Sequence, residues 1–417
     1  MLPKAGGSLR ILYVLFALQH PRLRGPNRHY HFLRELSRRH AITLLAITAQ
    51  PIPGEILEEL TGYTERLWLF DAEPPSLGGP ADATASQRHD GRWSRVRRQR
   101  RAAHGMQACL GRQIAAANHS NQRFDVVLLH GKNLASVVKD RAGLPLVVEF
   151  CDAASQRLRA RRPYVPPARR LALALQVALV RRHEQRVARM TPHLAFISAR
   201  DRAAVLGPDS RAMVIPNGVD LTYWQRSAAG LPSGSRLLFT GIMNYTPNED
   251  AALYLADHVL PRLRSAGTDV ELVLAGRDPT AALRACAERQ PGVTVTGYVE
   301  DLRPYLEQAM VFVAPLRFAS GMQNKVQEAM AMGVPVVATA TVAAGLTIDP
   351  ADPPPLVVAD GADAIAAQVR RLLGEPAERA RLAEAGRCFA ERYFVWPRSA
   401  AQLARLCHQA VADKTSA

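Results

Sequence analysis

The sequence predicts an α/β protein made of two doubly wound, Rossmann-like parallel-sheet domains facing a central cleft. Three observations carry this expectation. Short apolar runs alternate with longer helical segments along the whole chain, as buried strands alternate with crossover helices in parallel sheets. The alternation lapses at residues 222–235, where Gly, Ser and Pro replace any periodicity, and then restarts. Residues 311–339, VFVAPLRFASGMQNKVQEAMAMGVPVVAT, read as strand, glycine loop, helix, glycine turn and strand.

The elements follow in order. A strand at 9–17 leads through the turn Gly25-Pro26-Asn27 into a helix ending near residue 39, and a second strand spans 41–48. A short helix at 55–62 and a strand at 65–70 precede residues 71–90, whose Pro, Gly, Ala and Ser read as a mobile loop. A basic helix at 93–117 comes next. The strand at 124–129 then places His130 at its carboxyl end, the edge where open α/β sheets bind ligands. Strands at 146–150, 193–198 and 211–216 complete the first half, with a long helix at 168–190 that is apolar at first and then basic. That helix is read either as lying on a membrane surface or as packing on the sheet. The second half gives strands at 236–240, 270–275, 293–297, 311–315, 334–339 and 356–358. Helices are expected at 249–264, 280–289, 302–308, 362–373, 376–392 and 399–412.

The unit at 311–339 is the candidate site. Its helix starts near Met322 and buries Val326, Ala329 and Met330 at i, i+3, i+4 spacing, and Gly333 with Pro335 ends it. Lys325 falls in the first turn, where the helix dipole disfavours a cation unless an anion such as phosphate binds there. Glu328, one turn on, is the only acid of that helix, and a pair of sugar hydroxyls would suit it as partner. An ordinary strand–helix–strand unit with solvated Lys and Glu is the plain alternative.

Composition narrows the classes. The chain has 417 residues, is 48% hydrophobic and 22% charged, and is long enough for two cores. No apolar run has the length of a membrane-spanning helix, and the opening MLPKAGGSLRILYVLFALQHP reads as a first strand rather than a leader. Cys109, Cys151, Cys286, Cys388 and Cys407 lack metal-type spacing and fit reduced core thiols of a cytoplasmic protein. The net charge of +16 is concentrated in the first half, at 92–101, 157–170 and 181–189. It suits an anionic membrane face, a phosphorylated substrate or nucleic acid. No nucleic-acid module is visible and aromatics are 6%, which favours the membrane.

The runs IPNGVD, FTGIMNYTPNEDA, VLAGR, GVTVTGYVEDLRPYL, the 311–339 unit and the late YFVW resemble retaining glycosyltransferases of the GT-B fold, family 4. More narrowly, the chain is similar to sugar transferases tied to exopolysaccharide clusters of the PEP-CTERM/exosortase type. The motif likeness covers about 214–339, and the first half is similar in architecture and at isolated residues. The resemblance implies an acceptor-binding domain at 1–216, a donor-binding domain at 217–395, and a last segment, 396–417, that crosses back onto the first domain. It implies transfer of a sugar from a nucleotide-diphosphate sugar to a glycan or lipid-linked acceptor, without cofactor or metal, in the cytoplasm or at the inner membrane face. Nucleic acid is not an expected partner. Glu328 matches the second of two glutamates eight positions apart and would hold the donor ribose; the first would fall at Ser320. The loop 241–250 lacks the Arg and Lys that many relatives place there. Lys325 is then the diphosphate cation, with the amides of Gly321, Met322, Gln323 and Asn324 beside it and Arg277 or Arg317 as substitutes. Val299 and Glu300 resemble the segment meeting the base, His130 the histidine contacting the transferred sugar, and Gly25 and Gly241 the glycines near the diphosphate. An inverting GT-B transferase or epimerase and a catalytically silent nucleotide- or glycan-binding partner are the competing readings.

Overall fold

A computed structural model describes residues 7–23, 27–48, 51–71, 92–120, 122–227 and 234–416. The expected mobile loop therefore lies outside the described residues save for Asp71, as does Gly25. The first half runs β1 (Arg10–Leu15), α1 (Arg28–Leu36), β2 (Ala41–Thr48), α2 (Gly54–Gly62), β3 (Arg66–Asp71), α3 (Arg92–His119), β4 (Val126–His130) and β5 (Leu146–Glu149). It continues with α4 (Ala154–Arg161), α5 (Pro167–Ala188), β6 (Leu194–Phe196), α6 (Ala199–Leu206) and β7 (Met213–Val214). The second half runs β8 (Arg236–Thr240), α7 (Thr246–Tyr254), α8 (Leu260–Ser265), β9 (Glu271–Ala275), α9 (Ala281–Arg289), β10 (Val293–Gly297), α10 (Arg303–Glu307) and β11 (Val311–Ala314). Then come α11 (Asn324–Ala331), β12 (Val336–Ala338), α12 (Ala340–Leu346), β13 (Val357–Val358), α13 (Ala362–Gly374), α14 (Pro376–Tyr393) and α15 (Trp396–Thr415).

Both sheets are parallel. Their orders are β3-β2-β1-β4-β5-β6-β7 and β10-β9-β8-β11-β12-β13. Each reverses direction once, between β1 and β4 and between β8 and β11, and a crevice opens at the carboxyl ends of strands at such a point. His130 ends β4, Gly241 follows β8, and the glycine loop follows β11, so the candidate residues fall at the two reversal points.

Several elements differ from the sequence reading. α4 and α12 were not expected: α4 is mostly polar, with Leu158 its one large apolar side chain, and α12 is only 7 residues long, so neither shows a helical apolar period. The helix expected at 249–264 begins earlier, at Thr246, and passes through a π segment, Leu255–Val259, before Pro261. α11 begins at Asn324 rather than Met322, because Met322 is buried and its Sδ accepts the Asn217 amide. Cys388 is exposed, so core thiols describe the other cysteines better.

The last helix crosses between the halves. Trp396, Leu403, Leu406 and Cys407 of α15 are buried in one cluster with Ile11, Tyr13, Phe32 and Leu33 of the first half. Trp396 stacks on His31 at 4.4 Å between centroids. A Cβ on Gly218 would lie 2.6 Å from Trp396, so only glycine lets the chain pass under that ring. Among the described residues no helix is long and apolar enough to cross a membrane.

Candidate active site

On the first sheet the site is built around Glu149. Parallel register sets His130 beside Glu149 on β4 and β5, and His130 Nδ1 lies 2.7 Å from the Glu149 carboxylate. Arg28, at the start of α1, donates to the other oxygen at 3.0 Å, and also to Asn217 and the Ile215 carbonyl. His29 packs against His130 with ring centroids 3.6 Å apart and the planes tilted by 38°, its Nε2 3.3 Å from Glu149 and its Nδ1 against the Tyr13 hydroxyl. Glu149, His29 and Tyr13 are fully buried. Burial alone would raise the Glu149 carboxyl, but Arg28 and the two histidines hold it well below the usual range. Burial and the neighbouring His130 push His29 down to about 3, so its ring is neutral. The carboxylate thereby fixes the ring orientation of His130 with Nδ1 inward, leaving Nε2 as the other functional atom.

His29, His130 and Glu149 are also the group with metal-ligand character among the described residues, their ligand atoms lying within 4.8 Å of one another. A cation there would face the Arg28 guanidinium across the same carboxylate. Glu149 and His29 were missed in the sequence, and Arg28 was legible only as the end of a loop, 24–28, at the ligand-binding edge of the first strand, because residues 28, 29, 130 and 149 meet only through strand order. An uncompensated acid inside the run LVVEF was the available signal.

On the second sheet Lys325 is the centre. It occupies the first turn of α11, where the opening amides have no intrahelical acceptor. Its Nζ donates to Asn248 Oδ1 at 2.5 Å and lies over the Phe239 ring at 4.4 Å. Gly241 lies beneath: a Cβ there would meet Asn248 and the Lys325 ammonium at 2.7 and 2.9 Å. Burial lowers Lys325 to about 7 and raises Glu328 to about 7, each partly opposed by the other's charge. Glu328 shares a cavity of about 40 Å³ with Asn27, Asp220 and Trp396. That space is far too small for a nucleoside.

The glycine loop is engaged by the first half. Gly321, at φ +65, donates its N–H to Asp201 at 3.1 Å, and Arg200 donates to its carbonyl at 3.2 Å. Ser320 donates its hydroxyl to Asp152 at 2.6 Å. Cys151, between Glu149 and Asp152, holds the left-handed φ of 60. Burial raises the Asp201 carboxyl, against the opposing effect of its hydrogen bonds from Ser198 and the Ala153 amide. The Gly321 amide, expected to face a diphosphate, is thus occupied by a carboxylate in this conformation.

The substitute cations differ as well. Arg317 is a bidentate partner of Asp250 and is sandwiched by Tyr164 and Tyr254, so it is not free for phosphate. Arg277 lies at the end of β9, with Asp278 3.7 Å away. Arg157 of α4 also reaches the loop 241–250, donating to the Tyr245 hydroxyl at 2.6 Å across the cleft. Val299 is half-buried beyond β10, beside exposed Tyr298 and Glu300, with Asn324 near the cleft through its bond from Asn217 at 2.6 Å. Gln323 donates to the Ser320 carbonyl.

Two facing parallel-sheet domains, with candidate residues at both reversal points and a helix crossing back, define the GT-B class. Residues 234–375, which include Gly241, Lys325 and Glu328, match the family model described as glycosyl transferases group 1. The chain is 28% identical over 267 residues to phosphatidyl-myo-inositol mannosyltransferase of Mycolicibacterium smegmatis, covering 62% of this chain and 64% of that protein's length. Its fold is similar to that of sucrose-phosphate synthase from Thermosynechococcus elongatus, with a TM-score of 0.68 at 17% identity over 97% of this chain and 100% of the other. It is similar also to Anabaena HepE in complex with UDP and glucose, with a TM-score of 0.61 at 14% identity over 95% and 98%.

Proposed function

We propose that this protein is a retaining glycosyltransferase. It moves a sugar from a nucleotide-diphosphate sugar to a hydroxyl of a glycan or lipid-linked acceptor, in the synthesis of an exopolysaccharide or another cell-surface polysaccharide. Residues 217–395 would take the donor and 1–216 the acceptor, with 396–417 returning to the first domain. The observation that carries the reading is Lys325, desolvated over Phe239 and steered by Asn248 at the opening of α11, within the stretch that matches the transferase family. An ammonium partly withdrawn from water gains when a diphosphate arrives and gains more as charge develops on the leaving group. Glu328 would hold the ribose, and the Met322, Gln323 and Asn324 amides the phosphates. Gly241 would admit the diphosphate closely, with Val299 at the base and Arg277 at the rim; Gly25 keeps its proposed place near the diphosphate.

His130, oriented by Glu149, would contact the transferred sugar, and the departing phosphate would take the acceptor proton. Such a step needs positioning and electrostatic support rather than a cofactor or metal. With the cavity beside Glu328 only about 40 Å³, donor entry requires the two halves to part, releasing Ser320 and Gly321 from Asp152 and Asp201. The curated relative is named for transfer to phosphatidyl-myo-inositol, which supports a lipid-linked acceptor. The reading puts the protein in the cytoplasm, at an anionic inner membrane face, and the PEP-CTERM/exosortase-type likeness stays with it. A silent nucleotide- or glycan-binding partner is favoured by one observation, the occupation of Ser320 and Gly321 by carboxylates of the first half.

Calorimetry with UDP, GDP, ADP, TDP and CMP tests the site. One nucleoside diphosphate binds selectively to the wild type, and Glu328→Ala weakens it by about 1–3 kcal/mol, the cost of losing a charged hydrogen-bond acceptor. Equal binding by the variant removes Glu328 from the site. Donor-dependent product formation by the purified protein separates the enzyme from the silent partner.

A further inference from the structure

One face of the first two-thirds of α5 stands open to solvent. Leu171, Leu175 and Leu179 are 80%, 66% and 63% exposed. Their i, i+4, i+8 spacing aligns them along about 12 Å of one helix face. The opposite face packs inward through Leu173, Val187 and Ala188, and buried Glu184 accepts from Lys132 at 2.7 Å and from Ser155. Single exposed leucines are ordinary, but three in line on a structured helix make a patch. The charge around them is one-sided: between Asp152 and Glu184 the chain carries eight arginines and no carboxylate. Arg159, Arg162, Arg169 and Arg181 are exposed, and among the described residues none of them meets an acid.

We infer that this face of α5 is a docking surface for an anionic lipid bilayer. A bilayer supplies both halves of the complement, an apolar bed for the leucine line and phosphates for the arginines beside it. A second copy would set another arginine cluster against the first, and a nucleic acid would leave the leucines wet. The α4–α5 hairpin also reaches the cleft. Tyr164, in its turn, packs on Phe318 at 5.7 Å and covers Arg317, while Arg157 holds Tyr245. Docking through α5 therefore sets the mouth of the cleft beside lipid headgroups. What is delivered there, a lipid-linked acceptor, rests on the transferase reading; the docking stands on α5 alone.

Flotation of the full chain with phosphatidylcholine vesicles, with and without phosphatidylglycerol, tests this. The wild type floats with the phosphatidylglycerol vesicles and is released by salt. Replacing the three residues together, Leu171→Ser, Leu175→Ser and Leu179→Ser, lowers the bound-to-free ratio at least about tenfold, as does Arg169→Glu with Arg181→Glu. Both variants keep the wild-type melting temperature, because these side chains are exposed. The inference is overturned if the wild type stays with the soluble fraction at low salt, or if the leucine variant floats as well as the wild type. Conversion of a wild-type dimer to a monomer by the leucine variant, without vesicle binding, also overturns it and assigns the face to a second copy. Vesicle binding without binding of any nucleoside diphosphate sinks the transferase reading and leaves the docking surface.

Discussion

Lys325→Ala lowers kcat for sugar transfer by about 10²–10³, the usual cost of deleting a group that stabilises developing charge in a dry site. The change falls more on kcat than on KM, because the leaving diphosphate carries its full charge only as the glycosidic bond breaks. Lys325→Arg does not rescue, since Gly241 and Asn248 close around a compact ammonium. The pH profile of kcat/KM is a further readout. Burial has brought Lys325 down to about 7 and Glu328 up to about 7, so the free enzyme loses the needed cation as pH rises above that point and the needed carboxylate as pH falls below it. A narrow bell results, whose two limbs belong to the pair rather than to either residue. Bound diphosphate draws Lys325 back toward its ordinary value, so binding takes up a proton and the basic limb of kcat lies above that of kcat/KM. A flat profile across neutral pH, or an unchanged kcat in Lys325→Ala, removes the lysine from the reaction.

Glu149→Ala destabilises the first half by about 3–5 kcal/mol, because it strands the buried Arg28 guanidinium without its charge partner. Urea unfolding with a probe in that half reads the loss as a lower midpoint. Removing both charges, with Glu149→Leu and Arg28→Met, recovers much of it, and a double variant no better than the single one shows that the ion pair is not the cause. The same cluster sets the acid limit. His29 has a folded value below its unfolded one, so the unfolded chain binds the extra proton first and stability declines as pH falls below about 6.5. The depressed Glu149 adds stability that is complete above its unfolded value of 4.5 and is lost as pH falls through the lower folded value. Thermal melts against pH therefore decline gently from neutral pH and steeply in the acid range, and Glu149→Gln flattens the steep part.

Local patterning made most of the framework legible. β2 and β8 have the bounds that their apolar runs indicate, since a parallel strand buried on both faces is written as a continuous run. Ser198 and Thr280 cap α6 and α9 through their own side chains, which short-range chemistry suffices to indicate. Lys325 and Glu328 were visible because an ammonium in a first turn and a lone acid among apolar residues each contradict their surroundings. α4 was not visible, because a helix stabilised by α5 and by arginine contacts across the cleft needs no apolar period of its own.

By itself the sequence determined the alternation of strand and helix, the break between two halves, and the loop-to-helix unit carrying Lys325 and Glu328. These are short-range matters of periodicity, capping and breaker residues. Only the tertiary structure decided that His130 pairs with Glu149, that Arg28 and His29 complete the cluster, that Asp152 and Asp201 hold Ser320 and Gly321, and that the leucine line of α5 faces outward. Those contacts join residues 19 to 168 positions apart or depend on which face a neighbouring element covers. Strand order and closure of the two halves fix them, and neither is written in a window of neighbouring residues.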